Sequence, residues 1–366
     1  MANRVHARAR RWTMSVTMLA AGLVLGAAAY PRVGSIETMI QSRWSDWRSV
    51  AVTVTVPAAG HGAAQAARFV AADRPAPLVV DLHQWGETYA GSLGNDVRLD
   101  RLVAARGWNY IRPNLAGPNN TPAACCSEGV TDAVKAAVDY AIAHGRVDRR
   151  AIYVVGISGG AYTALCTLHS GKVPVRRYIA WVPIADLESW YDHHAFDHYG
   201  QDIRQCTASS GKGLDVAAAR RRSPLYMPLP AQIPAVHLYH GIRDGMVTSV
   251  SPDQSVTWFN RVALATGHDT DIVSDATRLS ILDRRVGPDQ ATGRSVAGRR
   301  IHFDRRAGTV QLTLFEGDHE GFMVPTMDEL ARDYRTLGAA PSSLPDRVLD
   351  AAEKGTDRLR RALDAL

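Results

Sequence analysis

The sequence is poor in cysteine, with four in 366 residues, and none of the four falls in the two-plus-two spacing of a zinc site. It also lacks a basic stripe interleaved with aromatic residues, so no nucleic-acid partner is expected. No internal repeat and no extended low-complexity segment interrupts it, which excludes a repeat architecture. Long uncharged stretches are few. One of them runs from Trp12 to Tyr30, near the N-terminus.

That stretch follows Arg4, Arg8, Arg10 and Arg11 and ends in Ala27-Ala28-Ala29. A basic opening, an apolar middle and small residues at a cleavage point describe a secretory signal over residues 1–29. The alternative is an uncleaved N-terminal membrane anchor, since the run is close to spanning length, although Gly22 and Gly26 weaken it as a span. A periplasmic or secreted location follows from the first reading, and membrane attachment only from the second. The formal charge of +6 is partly this segment: without it, 38 basic residues face 36 acidic ones. Export permits disulfides among Cys125, Cys126, Cys166 and Cys206. Cys206 lies in a polar segment and is expected to pair with Cys125 or Cys126, whereas Cys166, on a helix, reads as a small core residue.

Hydrophobic content of 46% is enough for a full core, and residues 30–366 are read as one domain. Ser49–Pro57 reads as a half-exposed strand with a hairpin partner near Ala67–Ala71. Short apolar runs at Pro77–Leu82, Asn109–Pro113, Ile152–Gly156, Tyr178–Ile184 and Pro234–His240 then alternate with helical patterns. Such alternation predicts βαβ units and a mostly parallel, doubly wound sheet covered on both faces. Residues 187–230 break the rhythm with Trp190, Tyr191, Phe196 and Tyr199 among His193, His194 and His198. They are expected to form a cap over the carboxyl edge of the sheet, and the histidines have no metal-ligand spacing. Asp269–Arg306 reads as a charged surface excursion, Thr309–Phe315 as a last, edge-side strand, and Leu344–Leu366 as a peripheral helix.

Gly156-Ile157-Ser158-Gly159-Gly160 joins a predicted strand to a predicted helix. Strand, glycine-flanked serine and helix together make a nucleophile elbow, where a sharp turn lifts the hydroxyl clear of the sheet. A serine nucleophile needs a base, and the base needs an orienting acid. Asp244, in Gly-Ile-Arg-Asp-Gly, and His319, in Gly-Asp-His-Glu-Gly, each follow a predicted strand and lie in the required order. Asp186 is a rival acid. For the oxyanion hole the candidates are the backbone of Gly159 and that of Gln84 or Trp85, in the turn His83-Gln84-Trp85-Gly86. Trp85, Trp190 and Tyr191 are the candidates for substrate contact, with packing of Trp85 against the cap as its alternative.

Taken together, the His-x-x-Gly turn, the Gly-x-Ser-Gly-Gly elbow, Arg222-Ser223-Pro224, His-Gly-x-x-Asp and Gly-Asp-His-Glu resemble the catalytic domain of the prolyl oligopeptidase family, in particular its short bacterial members. The stretches Gly117–Gly129 and Trp181–Tyr191 are similar to that subgroup too. The resemblance covers roughly Leu78–Phe322 and implies the α/β-hydrolase fold, a triad of Ser158, Asp244 and His319, and neither metal nor organic cofactor. Gln84-Trp85 departs from the Gly-Gly of many family peptidases, and too few residues precede the first core strand for a propeller. The expectation is therefore an exported serine hydrolase working through an acyl-enzyme on carbohydrate or other small-molecule esters. An exopeptidase or oligopeptidase acting on peptides is the first alternative, and a noncatalytic scaffold the last.

Overall fold

Residues 49–338 are described in the computed structural model, apart from 92, 212, 247–248 and 286–291. The predicted signal or anchor segment and the helix expected over 344–366 lie outside the described residues.

Extended, β-branched stretches supply the sheet. β1 (Val52–Val56) and β2 (Gln65–Val70) form the expected antiparallel hairpin. β3 (Ala76–Leu82) is buried along its whole length, and α1 (Leu99–Ala105) returns the chain to β4 (Asn109–Pro113). α2 (Glu128–His144) is capped by the Ser127 hydroxyl, which accepts from the Val130 amide. β5 (Val147–Ile157) is longer than its apolar core suggests, because Asp148, Arg149 and Arg150 extend it into solvent. It leads into α3 (Gly159–Ser170) and β6 (Arg177–Trp181).

The segment expected as a cap forms three short helices, α4 (Leu187–His194), α5 (His198–Cys206) and α6 (Val216–Arg221). β7 (Ala235–Gly241), α7 (Asp253–Ala265) and α8 (Asp275–Leu282) follow. β8 (Ser295–Val296), β9 (Arg299–Ala307), β10 (Val310–Phe315) and α9 (Met323–Arg335) complete the described elements.

The ten strands run in the order β1-β2-β4-β3-β5-β6-β7-β10-β9-β8, with β4, β3, β5, β6, β7 and β10 parallel. Alternation along β5 divides the core. Ile152 and Val154 join the cluster under α2, α3 and α7, while Tyr153, Val155 and Ile157 join the one under α1 and α9. This is the doubly wound α/β sheet of an α/β hydrolase.

Two expectations need correction here. β10 is not an edge, because β9 pairs with it antiparallel. The charged stretch hid a strand whose inward residues are Ile301, Phe303 and Ala307 and whose outward charges find partners, Asp304 with Arg294 and His302 with Glu316. Cys166 is not a free core residue either. It bonds to Cys126, while Cys125 bonds to Cys206. Cys125 and Cys126 both take left-handed backbone angles, φ 57° each, and so the two neighbours reach different elements, Cys125 the end of α5 and Cys126 the middle of α3.

Candidate active site

Ser158 sits between β5 and α3 with φ 55° and ψ −120°, a strained conformation for a residue with a side chain. Its amide donates to the Trp181 carbonyl at 2.9 Å, and its own carbonyl starts α3 by accepting from Tyr162. The glycines around it are sterically required. A Cβ on Gly156 would fall 2.3 Å from the Gly160 carbonyl carbon, so strand and helix meet only through bare backbone.

The candidate acid and base come from the turns after two neighbouring parallel strands. Asp244 follows β7, and its Oδ2 lies 2.6 Å from Nδ1 of His319, which follows β10. The turns are bound to each other: Ile242 N donates to the Phe315 carbonyl at 2.9 Å and Arg243 N to the Gly317 carbonyl at 3.0 Å. Arg243 adds a two-pronged contact to Asp318 at 3.2 Å and an ion pair with Glu316. Glu320 pairs with Arg299. The acids flanking His319 thus have partners of their own, and Asp244 is the one at its ring.

The Asp244 carboxylate is fully buried and takes hydrogen bonds from the amides of Gly245 at 2.8 Å and Val250 at 3.0 Å. His240, also buried, brings Nε2 to 3.3 Å from the same Oδ2. Burial alone would raise the carboxyl, but the hydrogen bonds from His240 and His319 outweigh it and hold Asp244 well below the usual carboxylate range. Asp186, the rival acid, lies elsewhere. It caps α4 and accepts from the Tyr226 hydroxyl at 3.0 Å.

Of the two candidates for the second oxyanion donor, Trp85 is the one whose backbone nitrogen lies against Gly159. Gln84 turns its side chain to Glu87, and its carbonyl faces the His83 ring. The turn is anchored from below by a buried group in which Arg112 reaches Asp81 at 2.7 Å and Glu87 at 2.6 Å, and Tyr110 donates to Asp81 at 2.5 Å. Burial pushes the Asp81 carboxyl up, and the Arg112 charge offsets only part of that rise.

The aromatic residues expected to touch substrate divide differently. Trp190 is buried, stacks edge-on against Trp85 at 4.8 Å and donates from Nε1 to the Ser249 carbonyl at 2.8 Å. It therefore packs the cap and is not a contact surface. The Trp85 ring lies between Trp190 and Tyr162 and donates from Nε1 to Asp202 at 3.2 Å. Tyr191 stays half-buried. Arg222 gathers the carbonyls of Pro122, Ala124 and Cys125, and so ties the cap to the cysteine loop. Sequence reasoning missed His240, Ser249, Arg243 and Asp202. Only His240 carried a signal, standing four residues before the acid at a strand end. Among the described residues, no group of three His, Cys, Asp or Glu is placed to hold a metal.

A profile of the prolyl oligopeptidase family matches residues 127–277, which include the elbow, the cap and Asp244. The chain is an α/β hydrolase resembling the catalytic domain of that family. The match supports a serine hydrolase of the peptidase type. Among solved structures it is similar to a puromycin-hydrolyzing peptidase of Mycobacterium tuberculosis, with a TM-score of 0.51, 19% identity and coverage of 81% of this chain and 40% of that one. The acylaminoacyl peptidase of Pyrococcus horikoshii gives a TM-score of 0.50 and 13% identity, with 80% and 42% covered. The chain thus spans about two-fifths of these proteins, and identities this low bear on the fold alone. No curated protein matches the sequence.

Proposed function

We propose that the protein hydrolyses small acyl or aminoacyl amides through an acyl-enzyme formed on Ser158. The observation that carries the reading is the pairing of His319 Nδ1 with the buried Asp244 carboxylate, on the sheet edge that also bears the strained Ser158. His319 takes the Ser158 proton through Nε2 as the hydroxyl attacks the carbonyl. The oxyanion is held by the amides of Gly159 and Trp85. His319 then protonates the departing nitrogen and activates the water that frees the enzyme.

The family match and the peptidase folds it resembles support an amide bond as the target. An amine on the acyl side would find Asp202, whose carboxylate lies at the Trp85 indole. Esters of carbohydrates or other small molecules form a second reading, favoured by one observation. Glu188, the other cap carboxylate suited to anchoring an amine, is already paired with Arg220 at 2.6 Å. Export is also proposed, on the basic-then-apolar N-terminus and the two disulfides, which persist in oxidising compartments. Among the described residues, no helix is long and apolar enough to cross a membrane.

The test compares wild type with Ser158→Ala on matched aminoacyl anilides and short acyl esters. A loss of about three or more orders of magnitude in the variant fits removal of a nucleophile. Anilide turnover selects the first reading and ester turnover alone the second. Activity unchanged in Ser158→Ala overturns both.

A further inference from the structure

His319 Nε2 is the nitrogen that must accept the Ser158 proton, yet its partner here is a different hydroxyl. Ser249 Oγ lies 3.3 Å from Nε2, and among the described residues no hydrogen bond joins Ser158 to the ring. Ser249 belongs to the loop between Asp244 and α7, and its neighbour Val250 grips the Asp244 carboxylate. The cap holds Ser249 from the other side. Its carbonyl accepts from Trp190 Nε1 at 2.8 Å and from His194 Nε2 at 2.7 Å. Asp197 fixes His194 in turn, 2.6 Å from its Nδ1.

The direction of the bond at Nε2 follows from the other side of the ring. Asp244 is an ionised carboxylate and only accepts, so His319 carries its proton on Nδ1 and presents a lone pair at Nε2. The Ser249 hydroxyl therefore donates to Nε2, while Nδ1 donates to Asp244, so the two bonds run in one direction from the cap-held loop into the triad.

Resting on the triad reading above, we propose that Ser249 is a positioning residue. Its hydroxyl occupies the lone pair of the base in the resting enzyme, and the cap, through Trp190 and His194, holds it there. Proton transfer from Ser158 requires that this bond be given up. The cap residues around the site thereby set how available the base is.

The experiment is the rate at which a small alkyl fluorophosphonate labels Ser158 in the full chain. In that reaction the Ser158 oxygen–phosphorus bond forms, fluoride leaves and the proton passes to His319. Ser249→Ala is expected to label about three- to tenfold faster, the value of one hydrogen bond. Ser249→Thr, which keeps the hydroxyl, should stay at the wild-type rate. A merely structural role for Ser249 predicts slower labelling instead. A Ser249→Ala rate equal to or below wild type, or a Ser249→Thr rate matching Ser249→Ala, overturns the proposal. Ser158→Ala is the separate control: if it labels like wild type, or if wild type does not label, the triad reading itself fails and the inference falls with it.

Discussion

The backbone nitrogen of Trp85 and the α-carbon of Gly159 are packed so closely that a Cβ on Gly159 would stand 2.4 Å from that nitrogen. The two amides proposed as oxyanion donors are thus brought together by the absence of a side chain. Gly159→Ala should push the His83–Gly86 turn away from the elbow and separate the donors. We expect kcat to fall by about 10²- to 10³-fold, the cost of losing one such donor. Circular dichroism should show an unchanged fold. Near-wild-type turnover in a folded variant would show that the pair does not hold the oxyanion.

Asp244→Asn tests the acid. The carboxylate accepts from two amides and faces two histidines, so an amide at this position must turn a donor toward one of them. A kcat loss of about 10⁴-fold is expected, through a wrongly oriented or wrongly protonated His319. In the wild type, the depressed Asp244 carboxyl stays charged through the working range. The acid limb of kcat/KM should therefore fit a single protonation, and a second one between pH 3 and 5 would contradict the assignment.

Much of this arrangement was legible in the sequence, for a physical reason. β3 and the core of β5 are buried on both faces, and so they appear as largely apolar runs whose carboxyl ends fall at motif residues. β9 was not legible, since its Arg, His and Asp residues outweigh Ile301 and Phe303 in composition while facing partners across the strand. Trp190 looked like a contact residue because composition cannot tell which way an indole points. Ser249 was invisible for another reason: much of its connection to the cap runs through a main-chain carbonyl, which every residue has.

The disulfides give a prediction that Cys166 read as a core residue would not. Cys125–Cys206 joins the 117–126 loop to the cap, and Cys126–Cys166 joins it to the helix behind Ser158. Peptide mapping without reduction should recover both linkages. Each closes a long loop, so removing either by paired Ser substitution should cost about 2–5 kcal/mol in denaturant unfolding. Loss of Cys125–Cys206 should also reduce activity at temperatures where the protein is still folded, because α5 carries Tyr199 and Asp202 toward the site. Equal activity with and without that bond would show that Arg222 and the packing around Trp190 hold the cap unaided.

A last prediction concerns Glu329, on the opposite side of the sheet's core from the elbow helix. Its carboxylate is buried with the His237 ring at 3.0 Å, the Tyr239 hydroxyl at 2.8 Å and Arg177 at 3.1 Å. Burial would raise its pKa, but the charges of His237 and Arg177 and the hydrogen bonds bring it from 4.5 down to about 2. A carboxyl depressed on folding binds its proton more tightly in the unfolded chain. Its contribution is therefore complete above the unfolded value and is lost as pH falls through the interval from 4.5 to about 2. Glu329→Gln should be destabilised by about 3 kcal/mol at pH 7, where it leaves Arg177 without its counter-charge. Urea midpoints of wild type and variant should then converge as the pH is lowered below 4.5. Curves that stay parallel down to pH 3 would mean that the variant suffers from packing alone and that Glu329 carries no folding-linked charge.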